Sequence, residues 1–264
     1  MDNNAPIEKT KLQNVKKIIV VASGKGGVGK STVAAGIAMN LASEGYSTGL
    51  LDADIYGPSL PLLFNLKDKR PLVVDKEGKS YLVPFVSYGI KLMSIGLLVD
   101  TKQPLVWRGP KASSGISQLI TDTLWGDLDF LIIDTPPGTG DIHLTLLQNF
   151  ESDGVIFVTT PQNMAMDDVE KAISMYKNEV IGIPVIGVVE NMSWFTPTEH
   201  PTEKYYLFGK GGGERISKDF NIPLLAQIPV NETIGINCDS GKMNELMLDV
   251  QVYEAFKKIT DSII

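Results

Sequence analysis

A chain of 264 residues that is 43% hydrophobic and 21% charged is neither disordered nor fibrous and can bury one large core. Its net charge of −7 excludes a broad basic face, so no nucleic-acid partner is expected. No run reaches the roughly eighteen apolar residues that cross a bilayer, and the N-terminus lacks the order of a secretory signal. Cys238 is the only cysteine, so these residues form no disulfide among themselves, and a cytoplasmic protein without a membrane partner is expected.

The polar opening MDNNAPIEKTKLQNVKK reads as a flexible lead-in over residues 1–16, and one domain is expected over 17–264. IIVVAS (18–23) reads as a buried strand. Residues 30–45 read as a helix, with Val33, Ile37, Ala38 and Leu41 at helical spacing and Gly45 as its stop. STGLLDAD (47–54) is a second strand, and Pro58 is placed to begin a short helix within 55–66. Residues 71–95 read as a hairpin leading into a further strand, and 111–126 as a helix. LDFLIIDTPPG (128–138), 154–161, 183–193 and 222–230 are the later strands, with helices between them and a last helix over about 244–262. Met164 and Met166 are expected in the core at a helix start. Apolar runs alternating with helical segments predict an α/β fold, a mainly parallel sheet with helices on both faces.

GKGGVGKST, residues 24–32, follows the first strand and opens the first helix. Gly24, Gly29, Lys30 and Ser31 match G-x-x-x-x-G-K-[ST], the phosphate loop of P-loop NTPases. Glycines let consecutive N–H groups face phosphate oxygens where side chains would collide. Lys30 is expected on the outer phosphates and Ser31 on Mg²⁺, with Lys25, Gly26, Gly27, Val28 and Thr32 completing the nucleotide-binding stretch. Carboxylates are needed at neighbouring strand ends, because open parallel sheets bind ligands there. Asp134 closes FLIID, and Asp52 and Asp54, two apart, share one side of the second strand. Capping of a helix or turn is the other use for the latter pair. No N-K-x-D guanine signature is present, which favours ATP over GTP.

The lysine after the first glycine, with LDADIYGPS and IIDTPPGTGD, resembles the deviant Walker A group of P-loop ATPases. That group holds the MinD and ParA positioning ATPases, the nitrogenase iron protein and the Mrp/ApbC iron–sulfur cluster carriers. DADIYGPSLP, WRGP (107–110), DTPPGTGD (134–141), ENMS (190–193) and FGKGGGE (208–214) together resemble Mrp/ApbC most closely, from about residue 17 onward. The resemblance implies the three-layer P-loop NTPase fold and hydrolysis of ATP to ADP and phosphate by a homodimer closed across the nucleotide. It implies Lys25, Lys30 and Asp54 as catalytic residues, Lys25 reaching the partner's nucleotide and Asp54 positioning the attacking water. Ser31, Asp52 and Asp134 would serve Mg²⁺, Gly138 would be a switch-loop glycine, Asn191 would meet the adenine edge, and Pro229 and Val230 would form a strap beside the base.

It also implies iron–sulfur recipient or assembly proteins as partners. Members of the family are thought to hold a cluster on a C-x-x-C pair just after ENMS, but here Pro197 and His200 occupy those slots. No iron–sulfur ligand is therefore assigned, and a bound cluster is not expected on these positions. Trp194, Phe195, Tyr205 and Tyr206 nearby either cover the sheet end or form a partner surface. Arg108 in WRGP either braces a dimer or switch or pairs with a carboxylate. The alternative reading is a MinD/ParA-like ATP-dependent positioning or partner-binding switch. It requires a basic amphipathic tail or basic surface, whereas VQVYEAFKKITDSII carries only Lys257 and Lys258 as cations.

Overall fold

A strand whose residues are apolar in unbroken succession is satisfied only at the centre of a sheet covered on both faces. β1 (Val15–Ala22) is such a strand, buried from Ile18 onward. It leads through the glycine loop into α1 (Lys30–Ser43), then β2 (Thr48–Asp52) and the short α2 (Leu60–Leu63). A hairpin of β3 (Val73–Lys76) and β4 (Lys79–Leu82) precedes β5 (Phe85–Ser87) and β6 (Ile90–Ser94). Next come α3 (Gly109–Thr121), β7 (Leu128–Asp134), α4 (Asp141–Asn149), β8 (Gly154–Thr159), α5 (Asn163–Tyr176) and β9 (Val185–Glu190). α6 (Gly212–Phe220), β10 (Leu224–Gln227), α7 (Glu232–Ser240), α8 (Met243–Leu246) and α9 (Val250–Asp261) follow. The computed structural model describes residues 9–98, 109–178, 182–197, 199–200 and 202–264. Trp107 and Arg108 of the WRGP motif lie outside them.

The eight-stranded sheet runs β10–β9–β8–β1–β7–β2–β6–β5, parallel except for β5, which pairs antiparallel with β6. β1 is central: Val21 stands level with Asp134 of β7 and Ile156 of β8, and Asp52 of β2 stands level with Asp134. The carboxyl ends of β1, β2 and β7 therefore meet at one rim. One face of the sheet packs α1 together with α2 and α7–α9, and the other packs α3 and α4 beside α5 and α6. α1 is buried on nearly every side, including Val33, Ile37, Ala38 and Leu41. This explains why it is built of small and apolar residues rather than as an amphipathic helix.

Several boundaries differ from those the sequence predicts. β2, β7 and β9 stop at Asp52, Asp134 and Glu190, short of the expected ends at 54, 138 and 193, because each chain leaves the ladder to build the rim. The last helix is two, α8 and α9. Asp249 breaks the pattern by capping α9, its carboxylate accepting from the backbone N–H groups of Gln251 and Val252 at 2.9 and 3.1 Å. β1 starts at Val15 and Thr10 bridges Phe150, so the end of the expected lead-in belongs to the folded body. Met166 is buried, as expected, but Met164 is 75% exposed. Residues two apart on a helix point to nearly opposite sides, so both cannot face one core.

Candidate nucleotide-binding site

The loop between β1 and α1 ends at Gly29, the N-cap of α1, with φ +80° and no side chain capping the helix. The first N–H groups of α1 are thus left for an external anion, and the helix dipole favours one there. Two glycines are required by their surroundings. A Cβ on Gly24 would lie 2.3 Å from the backbone of Asp168 and Val169 in α5, and one on Gly29 would lie 2.2 Å from Asn191 Nδ2. The loop is further tied by Ser23 Oγ donating to Lys25 O at 2.9 Å and by Gly138 N donating to Ser23 O at 2.9 Å.

Around this loop lies a cavity of about 340 Å³ lined by Lys25, Gly26, Gly27, Gly29, Lys30, Ser31, Thr32 and Asp54. Gly24 and Val28 form the loop's outer side, packed on α5 and bonded to Asn191 respectively. The uncapped helix start and the cations Lys25 and Lys30 on one cavity fit a nucleotide's phosphates. Lys30, 5% exposed, pairs with Asp134, 2% exposed, and its Nζ lies 3.5 Å from Ser31 Oγ.

The carboxylates divide by environment. Asp52 is buried and wholly engaged: Oδ1 accepts from Asp54 N at 3.1 Å, and Oδ2 accepts from Leu60 N at 3.1 Å and Ser94 Oγ at 2.9 Å. The structure therefore makes Asp52 a strut for the loop leading to α2, in contrast to the metal role expected of it. Asp54 Oδ1 accepts from the N–H groups of Tyr56 and Gly57 at 3.0 and 3.1 Å, which aims the side chain along the cavity wall. Ser31 and Asp54 line the cavity, while Asp134 lies behind Lys30 with its carboxylate on that amine.

Burial, and then the charge of Asp134, push the Asp52 carboxyl up to about 7. Burial also raises Asp134, against the opposing pull of Lys30. Native Asp52 holds a proton that the unfolded chain releases near pH 4, so its contribution to stability falls as pH rises from about 4 to about 7. Asp52→Asn is expected to remove about 1 kcal/mol per pH unit of that downward slope. Denaturant melts of wild type and variant between pH 4.5 and 6.5 read the slope directly, and parallel pH profiles would refute the assignment.

Not every predicted residue meets this cavity. Asn191, expected on the adenine edge, donates from Nδ2 to Val28 O at 2.9 Å and so holds the glycine loop itself. Pro229 and Val230 do not line the cavity: Pro229 lines a separate pocket with Trp194 and Lys204, and Val230 N donates to Trp194 O at 2.7 Å. In their place α7 contributes Cys238 and Asp239, and α2 contributes Leu62 and Leu63. Cys238 Sγ sits 3.7 Å from Thr32 Oγ1, and neither Pro197 nor His200 lines the cavity. No sequence spacing links α7 to the glycine loop, so nothing short of the fold reveals that wall.

The second glycine-rich stretch, FGKGGGE, also opens a helix, but its free end is filled from within. Glu190 Oε2 accepts from Gly213 N at 2.6 Å, and Glu190 Oε1 accepts from Gln227 Nε2 at 2.8 Å. The described residues of the loop after ENMS make contacts with one another. Phe195 and Tyr205 exchange two backbone hydrogen bonds of 2.8 Å, and Lys204 Nζ lies 3.5 Å from the Trp194 ring centroid. Trp194 and Phe195 are half-buried, while Tyr205 and Tyr206 are exposed. Among the described residues no group of three or more His, Cys, Asp or Glu side chains could hold a metal ion.

Comparison with known proteins agrees with this fold. The sequence profile of the family described as "ParA: NUBPL iron-transfer P-loop NTPase" matches residues 14–264. An iron-sulfur cluster carrier protein of Aquifex aeolicus is 45% identical over 236 residues, covering 89% of this chain and 63% of that protein. A protein of the same name from Pseudomonas fragi is 46% identical over 232 residues, 88% of this chain and 79% of its own. The chain thus spans less than two-thirds of the first of these curated relatives and about four-fifths of the second. Among solved structures, a nucleotide-binding protein in complex with ADP from Archaeoglobus fulgidus superposes with a TM-score of 0.78 at 36% identity, covering 92% of this chain and 93% of that one. The chain belongs to the NUBPL iron-transfer family of P-loop NTPases.

Proposed function

We propose that this chain is an Mg²⁺-dependent ATPase that works as a homodimer closed across the nucleotide and serves iron–sulfur cluster assembly or delivery. The observation that carries the reading is the convergence of Lys30, Ser31, Asp54 and the uncapped start of α1 on one cavity. Lys30 and the loop N–H groups would hold the phosphates, and Asp54 would orient a water in line with the γ-phosphate. Mg²⁺, held by Ser31 and Asp134, would neutralise charge on the phosphoryl oxygens when bound. Lys25 would add a second cation as that charge spreads. Its amine rests on the neutral Gln162 Oε1 at 3.4 Å and, among the described residues, forms no ion pair, so little opposes its reaching a partner's nucleotide.

The clusters are cargo in this reading, and the chain's single cysteine is on the nucleotide wall, so cluster ligands would come from partner proteins. The positioning-switch alternative gains no support from α9, whose Val252, Phe256 and Ile259 are buried in the core with α1. Among the described residues no helix is long and apolar enough to cross a membrane. A cytoplasmic site of action fits this reading.

Phosphate release with ATP and Mg²⁺ tests the proposal. Asp54→Ala is expected to slow turnover by about 10²- to 10⁴-fold, the usual worth of a positioned proton-transfer group, with nucleotide affinity changed little. Equal, near-zero rates for wild type and variant would overturn the ATPase reading. Anaerobic reconstitution with iron and sulfide is expected to leave little cluster on the purified chain, and a stoichiometric cluster would refute the cargo arrangement.

A further inference from the structure

His143 stands in the first turn of α4, next to the DTPPGTGD loop, and is 1% exposed. Its Nε2 lies 2.7 Å from Pro136 O and its Nδ1 lies 2.8 Å from Tyr176 Oη. A carbonyl only accepts, so Nε2 must carry the proton. Neutral Nδ1 must then accept, so the Tyr176 hydroxyl donates. Tyr176 is fully buried at the end of α5 and packs edge-on against Phe157, with ring centroids 5.1 Å apart. The chain of donors is therefore Tyr176 to His143 to Pro136, with one direction and one tautomer.

Each end of this chain meets the glycine loop. Pro137, next to the carbonyl that His143 grips, lines the nucleotide cavity, and Gly138 N donates to Ser23 O. α5 packs its Asp168–Val169 backbone against Gly24, and its capping residue Gln162 accepts from Lys25. The relay thus ties the loop after Asp134 to the same helix that supports the loop binding phosphate.

We infer that His143 is a positioning residue for the phosphoryl-transfer site: its Nε2–H fixes the Pro136 carbonyl, and so Pro137 and Gly138, against the glycine loop, with Tyr176 selecting the tautomer. This rests on the reading of the cavity as an ATP-hydrolysing site. Burial holds the imidazole at a pKa of about 4, so the neutral form that the geometry requires persists at physiological pH.

Three variants separate positioning from bulk packing. His143→Phe fills the space without a donor and is expected to lower kcat by about 10- to 100-fold, the scale of a misplaced site, with ATP affinity within about threefold. His143→Gln supplies an amide N–H toward Pro136 O and is expected to recover most of that loss. Tyr176→Phe keeps the ring and is expected to lower kcat about 3- to 10-fold, the worth of one neutral hydrogen bond.

Amide exchange at Gly138, Thr139 and Gly140 in nucleotide-free protein gives a readout independent of turnover. It is expected to quicken in His143→Phe and Tyr176→Phe and to return toward wild type in His143→Gln. Imidazole ¹⁵N shifts are expected to report the Nε2–H tautomer in wild type. If His143→Phe does not fold, the other two variants carry the test. Unchanged exchange and unchanged kcat in Tyr176→Phe, or an Nδ1–H tautomer, would overturn the inference. A wild type without turnover would refute the ATPase reading alone, leaving exchange and tautomer to decide the relay.

Discussion

Lys30→Ala is expected to lower ATP affinity by about 10- to 100-fold and to destabilise the fold by about 3 kcal/mol at neutral pH. The first effect is the loss of a charge-assisted contact to phosphate. The second follows from Asp134: both partners of this ion pair are buried, and removing one strands the other's charge in the core. Asp134 escapes part of the penalty by taking a proton, as the upward push of burial on its carboxyl indicates. The cost should therefore grow as pH rises. Adding Asp134→Asn is expected to restore most of the stability and none of the nucleotide binding. Urea melts at pH 5 and pH 8, with ATP titration calorimetry, separate the two effects. A Lys30→Ala chain as stable as wild type at pH 8 would show that the pair contributes nothing net.

Lys25→Ala is expected to leave nucleotide binding nearly intact and to cut hydrolysis by about 10³-fold or more, as loss of a trans-acting cation does in other phosphoryl-transfer enzymes. The amine is only loosely placed in one chain, 3.4 Å from a neutral amide, so its removal should disturb neither fold nor loop. A lysine acting across two chains makes specific activity rise with protein concentration. It also allows complementation. Lys25→Ala chains keep their phosphate clamp, and the Lys30→Ala/Asp134→Asn chains keep Lys25. Mixed, they are expected to regain turnover at the one competent site. No recovery, together with a rate independent of protein concentration, would place the lysine's action within its own chain.

Much of the fold was legible because its signals are local. An apolar run, a glycine loop and a helix with a buried repeat stand in order within thirty residues, and each element forms where its own residues favour it. The acids closing β2 and β7 were readable for the same reason, since a carboxylate ending an apolar strand marks the rim. The errors share one cause too. Met164 and Met166 look alike in sequence, but helix geometry sends one to solvent. The last helix reads as continuous until Asp249 accepts two N–H groups and starts a new one.

What the sequence by itself determined is the parallel α/β architecture, the loop that can wrap a phosphate, and the acids and lysines available to it. What only the tertiary structure decided is how those groups are shared out. Strand order sets β7 between β1 and β2, which brings Asp134 to Lys30 and leaves Asp52 holding Leu60 and Ser94. The packing of distant segments turns Asn191 onto Val28, brings Cys238 to Thr32, and joins Tyr176, His143 and Pro136. Hydrogen bonds between such groups act over about 3 Å, so they depend on which elements the fold makes neighbours. No local spacing in the chain encodes that adjacency.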